Sequence, residues 1–166
     1  MDIDAEVTVS LYLFLKWVHV LSSVVLVGTG FGTAFFFFYA NRSGVVAAQA
    51  VVARLVVRAD TWFTSPAVVI QPITGVWMAY LAGYPWTTPW LLVTVALYLF
   101  TGACWTPVVA LQLRMADMAQ VAHEKDEPLP KLYWQYVRRW ELLGYPAFIA
   151  MLAVFYLMVA KPALWA

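Results

Sequence analysis

The sequence predicts an all-α integral membrane protein: a four-helix bundle with both termini on the outer side of the membrane. Composition is the first observation behind this reading, since 64% of the 166 residues are hydrophobic and 11% charged, against roughly 25% charged in soluble domains. The second is that the charges cluster and leave four long apolar stretches, when about 20 such residues suffice to cross a hydrocarbon core about 30 Å thick. The third is the placement of Lys and Arg, which sets the orientation.

Helix one is expected over residues 9–39, with only Lys16 and His19 as potentially charged groups. It exceeds the core thickness and must tilt or protrude. Helix two is expected over 62–82 and helix three over 88–113, both without a charge. Helix four is expected over 141–161, closed by the stopping pair Lys161-Pro162. Membrane helices satisfy their backbone amides segment by segment, and runs such as FFFFYA lack the alternation of a β-barrel.

Eight of the ten Lys and Arg residues stand in the connection after helix one (Arg42, Arg54, Arg58) or around the third connection (Arg114, Lys125, Lys131, Arg138, Arg139). The positive-inside rule makes both connections cytoplasmic and places both termini and the GYPWTTP turn outside, as in a multi-pass protein. The acidic start MDIDAE agrees with an exported N-terminus and lacks the positive opening of a signal peptide. A single domain, residues 1–166, is expected, with the lipid bilayer as its surroundings. The stretch VVAAQAVVARLVVRAD reads as a helical extension at the interface; MADMAQVAHEKDEPLPKLYWQYVRRW, with Pro128 and Pro130, reads as a solvated loop flanked by helix ends. Tyr84, Trp86 and Trp90 are expected in the outer aromatic belt, and Tyr133, Trp134, Tyr136 and Trp140 in the inner one. Cys104 is the single cysteine and reads as a packing residue; a net charge of +1 points to no nucleic acid.

Ionisable groups inside a membrane helix are expensive and mark function. Lys16 and His19 lie three apart, and their face continues through Tyr12, Ser23, Leu26, Gly30 and Thr33. That polar and small stripe is expected to face the bundle interior, with Gly28, Gly30 and Gly32 as close-packing positions. An inward imidazole has three uses: to ligate haem or another metal, to handle protons, or to make an interhelical hydrogen bond. Helical rise places Gln71 and Thr74 of helix two, Tyr98 and Thr101 of helix three and Met151 of helix four near the depth of His19, with Met78 and Met158 further out. His123 falls in the cytoplasmic connection, so a His/Met or five-coordinate haem is the expected arrangement. Lys16 and Lys161 sit toward the outer boundary, where they either snorkel or pair with haem propionates. Glu141 is expected to pair with Arg138 or Arg139 at the cytoplasmic end of helix four, and Pro66, Pro72, Pro107 and Pro146 are expected to shape the helices.

The stretch LKWVHVLSSVVLVGTGFGTAFF, ITGVWM at Thr74-Gly75 and RRWELLGYPAFIAMLAVFYLMVAKP together resemble an uncharacterised bacterial family of predicted four-helix integral membrane proteins over essentially the whole chain. The first and last helices also resemble, in short motifs, the HemJ-type protoporphyrinogen oxidases, which bind haem b through a histidine near the start of helix one. That resemblance implies His19 as axial haem ligand and Lys161 as the match to a C-terminal lysine. The spacing departs where Glu141 is followed by LLGYP. The leading expectation is thus a haem b protein in electron transfer or oxidation of a membrane-soluble substrate such as a porphyrin precursor or a quinone in its quinol form, an oxidoreductase if it is an enzyme. Its cofactor-binding residues would be His19, Lys16, Met151, Met78, Tyr98 and Lys161. The alternatives are a non-catalytic accessory or assembly subunit, docking a membrane partner or a second copy of itself, and a small proton-coupled transporter using Lys16 and His19.

Overall fold

The computed structural model describes the backbone of residues 3–165 and the side chains of residues 6–165; the opening Met1-Asp2 of the acidic start lies outside the described residues. The described chain is helical, in the order α1 (Ile3–Arg42), α2 (Val46–Ala59), a π-helical turn (Asp60–Thr64), α3 (Ser65–Leu81), α4 (Pro89–Glu124) and α5 (Lys131–Ala160). Glu6–Arg42, Pro89–Glu124 and Lys131–Ala160 are each long and apolar enough to cross a membrane. The five-residue π turn and the 17 residues of α3 continue as one helical rod of about 30 Å, which is also the thickness of a hydrocarbon core.

The π turn ends just before a proline. Pro66 has no N–H to give, and its ring would meet the carbonyl four residues back. The backbone widens instead: the Ser65 N–H bonds the carbonyl of Asp60, five residues earlier, and the Ser65 hydroxyl donates to that same oxygen at 2.8 Å. Helix ends elsewhere follow ordinary chemistry. After α3 the N–H of Tyr84 reaches Ala79 O and that of Gly83 reaches Tyr80 O, with Gly83 at φ 67°, a left-handed cap that glycine adopts without steric penalty. α4 closes with the same pair of bonds, Glu127 to Ala122 and Asp126 to His123, and here Asp126 takes the left-handed position at φ 54°. Lys161, left-handed at φ 44°, ends α5 just before Pro162.

The chain divides into two compact units, the first running up to Phe36 and adding Arg58–Pro85, the second comprising Phe37–Val57 with Trp86 onward. In the first, α1 and α3 are joined by side-chain hydrogen bonds centred on His19. In the second, α4 and α5 pack along each other; α4 buries Cys104, Val108, Gln112, Met115, Ala119 and Ala122, and α5 buries Tyr133, Val137, Trp140, Ala150, Val154 and Leu157. The α4 residues recur every three or four positions, and most are small enough for close helix approach.

Several sequence expectations change here. The stretch from Met115 to Trp140 is mostly helix, with only 125–130 as its connection. Its charges had suggested a loop, yet Arg114, Asp117, His123 and Glu124 are exposed while Met115, Ala116, Ala119 and Ala122 are buried, which is an amphipathic helix. Tyr133, Trp140 and Trp90 are buried packing residues rather than parts of an aromatic belt. The Tyr133 hydroxyl donates to Asn41 Oδ1 at 2.5 Å, and the Trp140 ring stands edge-on to Phe37 with centroids 5.2 Å apart. Glu141 is held by Arg42 at 2.9 Å, in place of Arg138 or Arg139. The helical extension read in VVAAQAVVARLVVRAD is α2, which buries Gln49, Ala50, Ala53 and Val56 and leaves Arg54 and Arg58 exposed. Cys104 is buried, as a packing residue should be.

Candidate functional site around His19

α1 offers α3 a face of Leu15, His19, Ser22 and Leu26, of which Leu15, Ser22 and Leu26 are buried and His19 half-buried. This face lies one position round the helix from the predicted stripe. Lys16 is exposed, Ser23 donates to Val20 O at 2.7 Å, and Thr33 to Thr29 O at 2.8 Å. Hydroxyls satisfied by their own helix need no interior partner. Gly28, Gly30 and Gly32 are not close-packing positions among the described residues, because apart from their own stretch of helix nothing lies within 4 Å of where a Cβ would stand.

The two residues expected at the depth of His19 on α3 both reach it. Gln71 Nε2 donates to the His19 carbonyl at 2.8 Å and to Ser22 Oγ at 2.9 Å. Ser22 Oγ donates in turn to the same carbonyl at 3.1 Å. Gln71, Thr74 and Ser22 are all buried. The backbone of α1 is thereby pinned at the imidazole.

The ring is pinned separately. His19 Nδ1 lies 2.8 Å from Thr74 Oγ1, and Thr74 Oγ1 is also 2.7 Å from the carbonyl of Ile70 and 3.2 Å from that of Gln71. Carbonyls only accept, so these contacts claim the single hydroxyl proton of Thr74. With that proton on a carbonyl the hydroxyl is free to accept from the ring, the arrangement in which Nδ1 carries the ring proton and Nε2 is a lone pair. Nε2 has no hydrogen-bond partner among the described residues. Gly75 gives the ring its clearance: a Cβ there would lie 3.2 Å from Cε1 and 3.7 Å from Nδ1 of His19.

Of the other predicted site residues, Lys16 stands one turn before His19 and Met78 one turn beyond Thr74, half-buried, both in the first unit. Tyr98 and Met151 are half-buried residues of the second unit, where the Lys161 ammonium also lies, 5.5 Å from the centre of the Trp90 ring. His123 is exposed in the last turn of α4. Among the described residues, no three His, Cys, Asp or Glu side chains gather as a metal site.

Sequence reasoning missed Asp60, a buried carboxylate in the π turn that accepts from Thr64 Oγ1 at 2.8 Å. It missed as well the buried Asn41, whose carbonyl accepts from Gln49 Nε2 at 3.1 Å. The signal for both was a polar residue at the edge of an apolar run, which reads equally well as the start of solvent.

The family described as predicted integral membrane protein (DUF2269) matches residues 13–162, almost the entire chain, with all but the first ten residues of the helices described above. The chain belongs to this family. Membership makes it an integral membrane protein in contact with lipid and names no activity; no curated protein and no solved structure matches the chain. The likeness to the HemJ-type oxidases therefore stands on its short motifs alone.

Proposed function

We propose that this DUF2269 protein binds haem b through Nε2 of His19 and serves electron transfer or the oxidation of a membrane-soluble substrate, such as a porphyrinogen or a quinol. One observation carries the reading: an imidazole in an apolar helix has its Nδ1 2.8 Å from Thr74 Oγ1, its Cε1 beside Gly75, and no hydrogen-bond partner for Nε2 among the described residues. A histidine kept only for an interhelical bond gains nothing from a bare second nitrogen. A ligand histidine does, since its outer hydrogen bond fixes both tautomer and orientation. The residues fit a haem better than a bare metal ion, because a porphyrin brings four donors of its own and asks the protein for one or two. When bound, haem supplies one-electron chemistry; the chain supplies the ligand, its orientation and an apolar surround.

The resemblance to a bacterial family supports the bacterial inner membrane as the location of this multi-pass protein, and the distribution of Lys and Arg supports both termini outward, with Lys16 toward the outer boundary.

A second reading, as an accessory subunit or self-associating protein, draws on Gly28, Gly30 and Gly32, whose open sides would admit a helix from another chain. Enlarging Gly30 to Leu would then abolish co-purification of a fixed partner and leave the optical spectrum unchanged. The haem reading is tested by the spectrum of the detergent-solubilised protein from haem-replete cells. A Soret band with reducible α and β bands, lost in His19→Ala, is expected; a colourless preparation overturns it.

A further inference from the structure

We propose that Thr74 is the positioning residue of the site: it selects the His19 tautomer in which Nε2 is the free ligand nitrogen, and it tunes the basicity of that ligand. The inference rests on the haem reading for its consequence, although its structural half concerns this chain alone.

The argument is one of proton accounting. Neutral imidazole carries one N–H, and either nitrogen can hold it. In water the two forms are nearly interchangeable. In a membrane helix a nitrogen that must donate and finds no acceptor is costly, so the surroundings decide. Thr74 Oγ1 touches Nδ1 at 2.8 Å, and its own proton is held by the Ile70 carbonyl at 2.7 Å, four residues back on the same helix. That back-bond is the ordinary habit of a threonine inside a helix. Here it turns an amphoteric hydroxyl into an acceptor, and the acceptor calls the ring proton to Nδ1.

Two further contacts make the selection firm. Gln71 holds the His19 carbonyl at 2.8 Å, which fixes the height of the ring against Thr74. Gly75, directly after Thr74, leaves the space that Cε1 occupies. The sequence Gln71-x-x-Thr74-Gly75 thus carries backbone anchor, tautomer selector and ring clearance on one side of α3. A ligand histidine whose distal N–H is accepted by a neighbour is a stronger electron donor, which favours ferric over ferrous iron. Removing the acceptor is therefore expected to raise the reduction potential, and an outer partner of this kind is typically worth about 10- to 100-fold in metal affinity.

The experiment uses the full-length protein with ring-¹⁵N histidine in a His123→Gln background, so that one imidazole reports. In the haem-free state, ¹⁵N NMR is expected to find His19 with its proton on Nδ1. Thr74→Val is expected to move the population toward the Nε2–H form, to weaken haem uptake about 10-fold or more and to raise the potential of what does bind. Thr74→Ser, which keeps the hydroxyl, is expected to restore all three. A wild-type ring protonated on Nε2 overturns the proposal without any variant, even if Thr74→Val fails to fold. An unchanged tautomer, affinity and potential in Thr74→Val overturns it too. A wild-type protein that takes up no haem while showing the Nδ1–H ring, shifted by Thr74→Val, overturns the cofactor reading and leaves Thr74 as the tautomer selector.

Discussion

The Cβ that Gly75 lacks would stand 3.2 Å from Cε1 of His19, closer than side-chain carbons normally approach. Position 75 therefore measures how much room the imidazole has. Gly75→Ala is expected to push the ring away from Thr74, lengthen the 2.8 Å contact and destabilise the protein by about 1–3 kcal/mol, as overpacked sites do. Thermal unfolding in detergent, followed by circular dichroism, measures the second effect, and ¹⁵N NMR of His19 the first. Gly28→Ala serves as the control: its added methyl meets no neighbouring atom, so the His19 signal is expected to stay at the wild-type value and the melting temperature to hold or rise, as replacing a helical glycine by alanine does.

The Tyr133 hydroxyl is the donor to Asn41 Oδ1, in a place where Asn41 is 2% exposed and Tyr133 fully buried. Asn41 Nδ2 already has no partner among the described residues. Tyr133→Phe would strip the other half of the amide as well, at a cost of about 1–3 kcal/mol for a buried polar atom left unpaired. Tyr133→Phe combined with Asn41→Leu removes donor and acceptor together and is expected to be less damaging than the sum of the single changes. A double-mutant cycle on detergent melting curves decides it; strict additivity would show that the two side chains do not act as a pair.

Arg42 and Glu141 form the ion pair at 2.9 Å, with side chains 47% and 21% exposed. Arg42 is also held locally, stacked 3.3 Å from the centre of the Phe38 ring. At that exposure water and salt screen the attraction, and Glu141→Gln is expected to change stability by about 1 kcal/mol or less. Raising the salt concentration should shrink even that difference between wild type and variant.

The helices were legible because apolar length is a strong signal: the expected stretches 9–39, 62–82, 88–113 and 141–161 all fall on helix except at the edges of the second, third and fourth. Gln71 and Thr74 were also legible, since helical rise alone sets their depth opposite His19. The face of α1 was not. Ser23 and Thr33 look like interior polar residues in sequence, but each bonds its own backbone, which periodicity cannot reveal. The same limit hid the role of Tyr133 and Trp140, because an aromatic at a helix end suits a lipid interface and a packed core equally. At His19 the sequence left open which nitrogen carries the proton. The contacts of Thr74 Oγ1 with His19 Nδ1 and with the carbonyls of Ile70 and Gln71 are what speak to that.

Asp60 offers the last test, of the π turn. Its carboxylate accepts from Thr64 and its carbonyl from Ser65, while Pro66 withholds an N–H from the same turn. If Pro66 causes the widening, Pro66→Ala is expected to let the turn tighten toward an α-helix, with Asp60 and Thr64 still four apart and still able to bond. If Asp60 causes it, the variant keeps its π turn and Asp60→Leu loses it. The proline is the stronger constraint because its ring clash cannot be relieved by rotating a side chain. Asp60→Asn keeps an acceptor for the Thr64 hydroxyl, whereas Asp60→Leu leaves that buried hydroxyl bare at a cost of about 1–3 kcal/mol. Melting temperatures are therefore expected to fall in the order wild type, Asp60→Asn, Asp60→Leu, and equal losses in the two variants would show that the negative charge, rather than the Thr64 hydrogen bond, is what the turn requires.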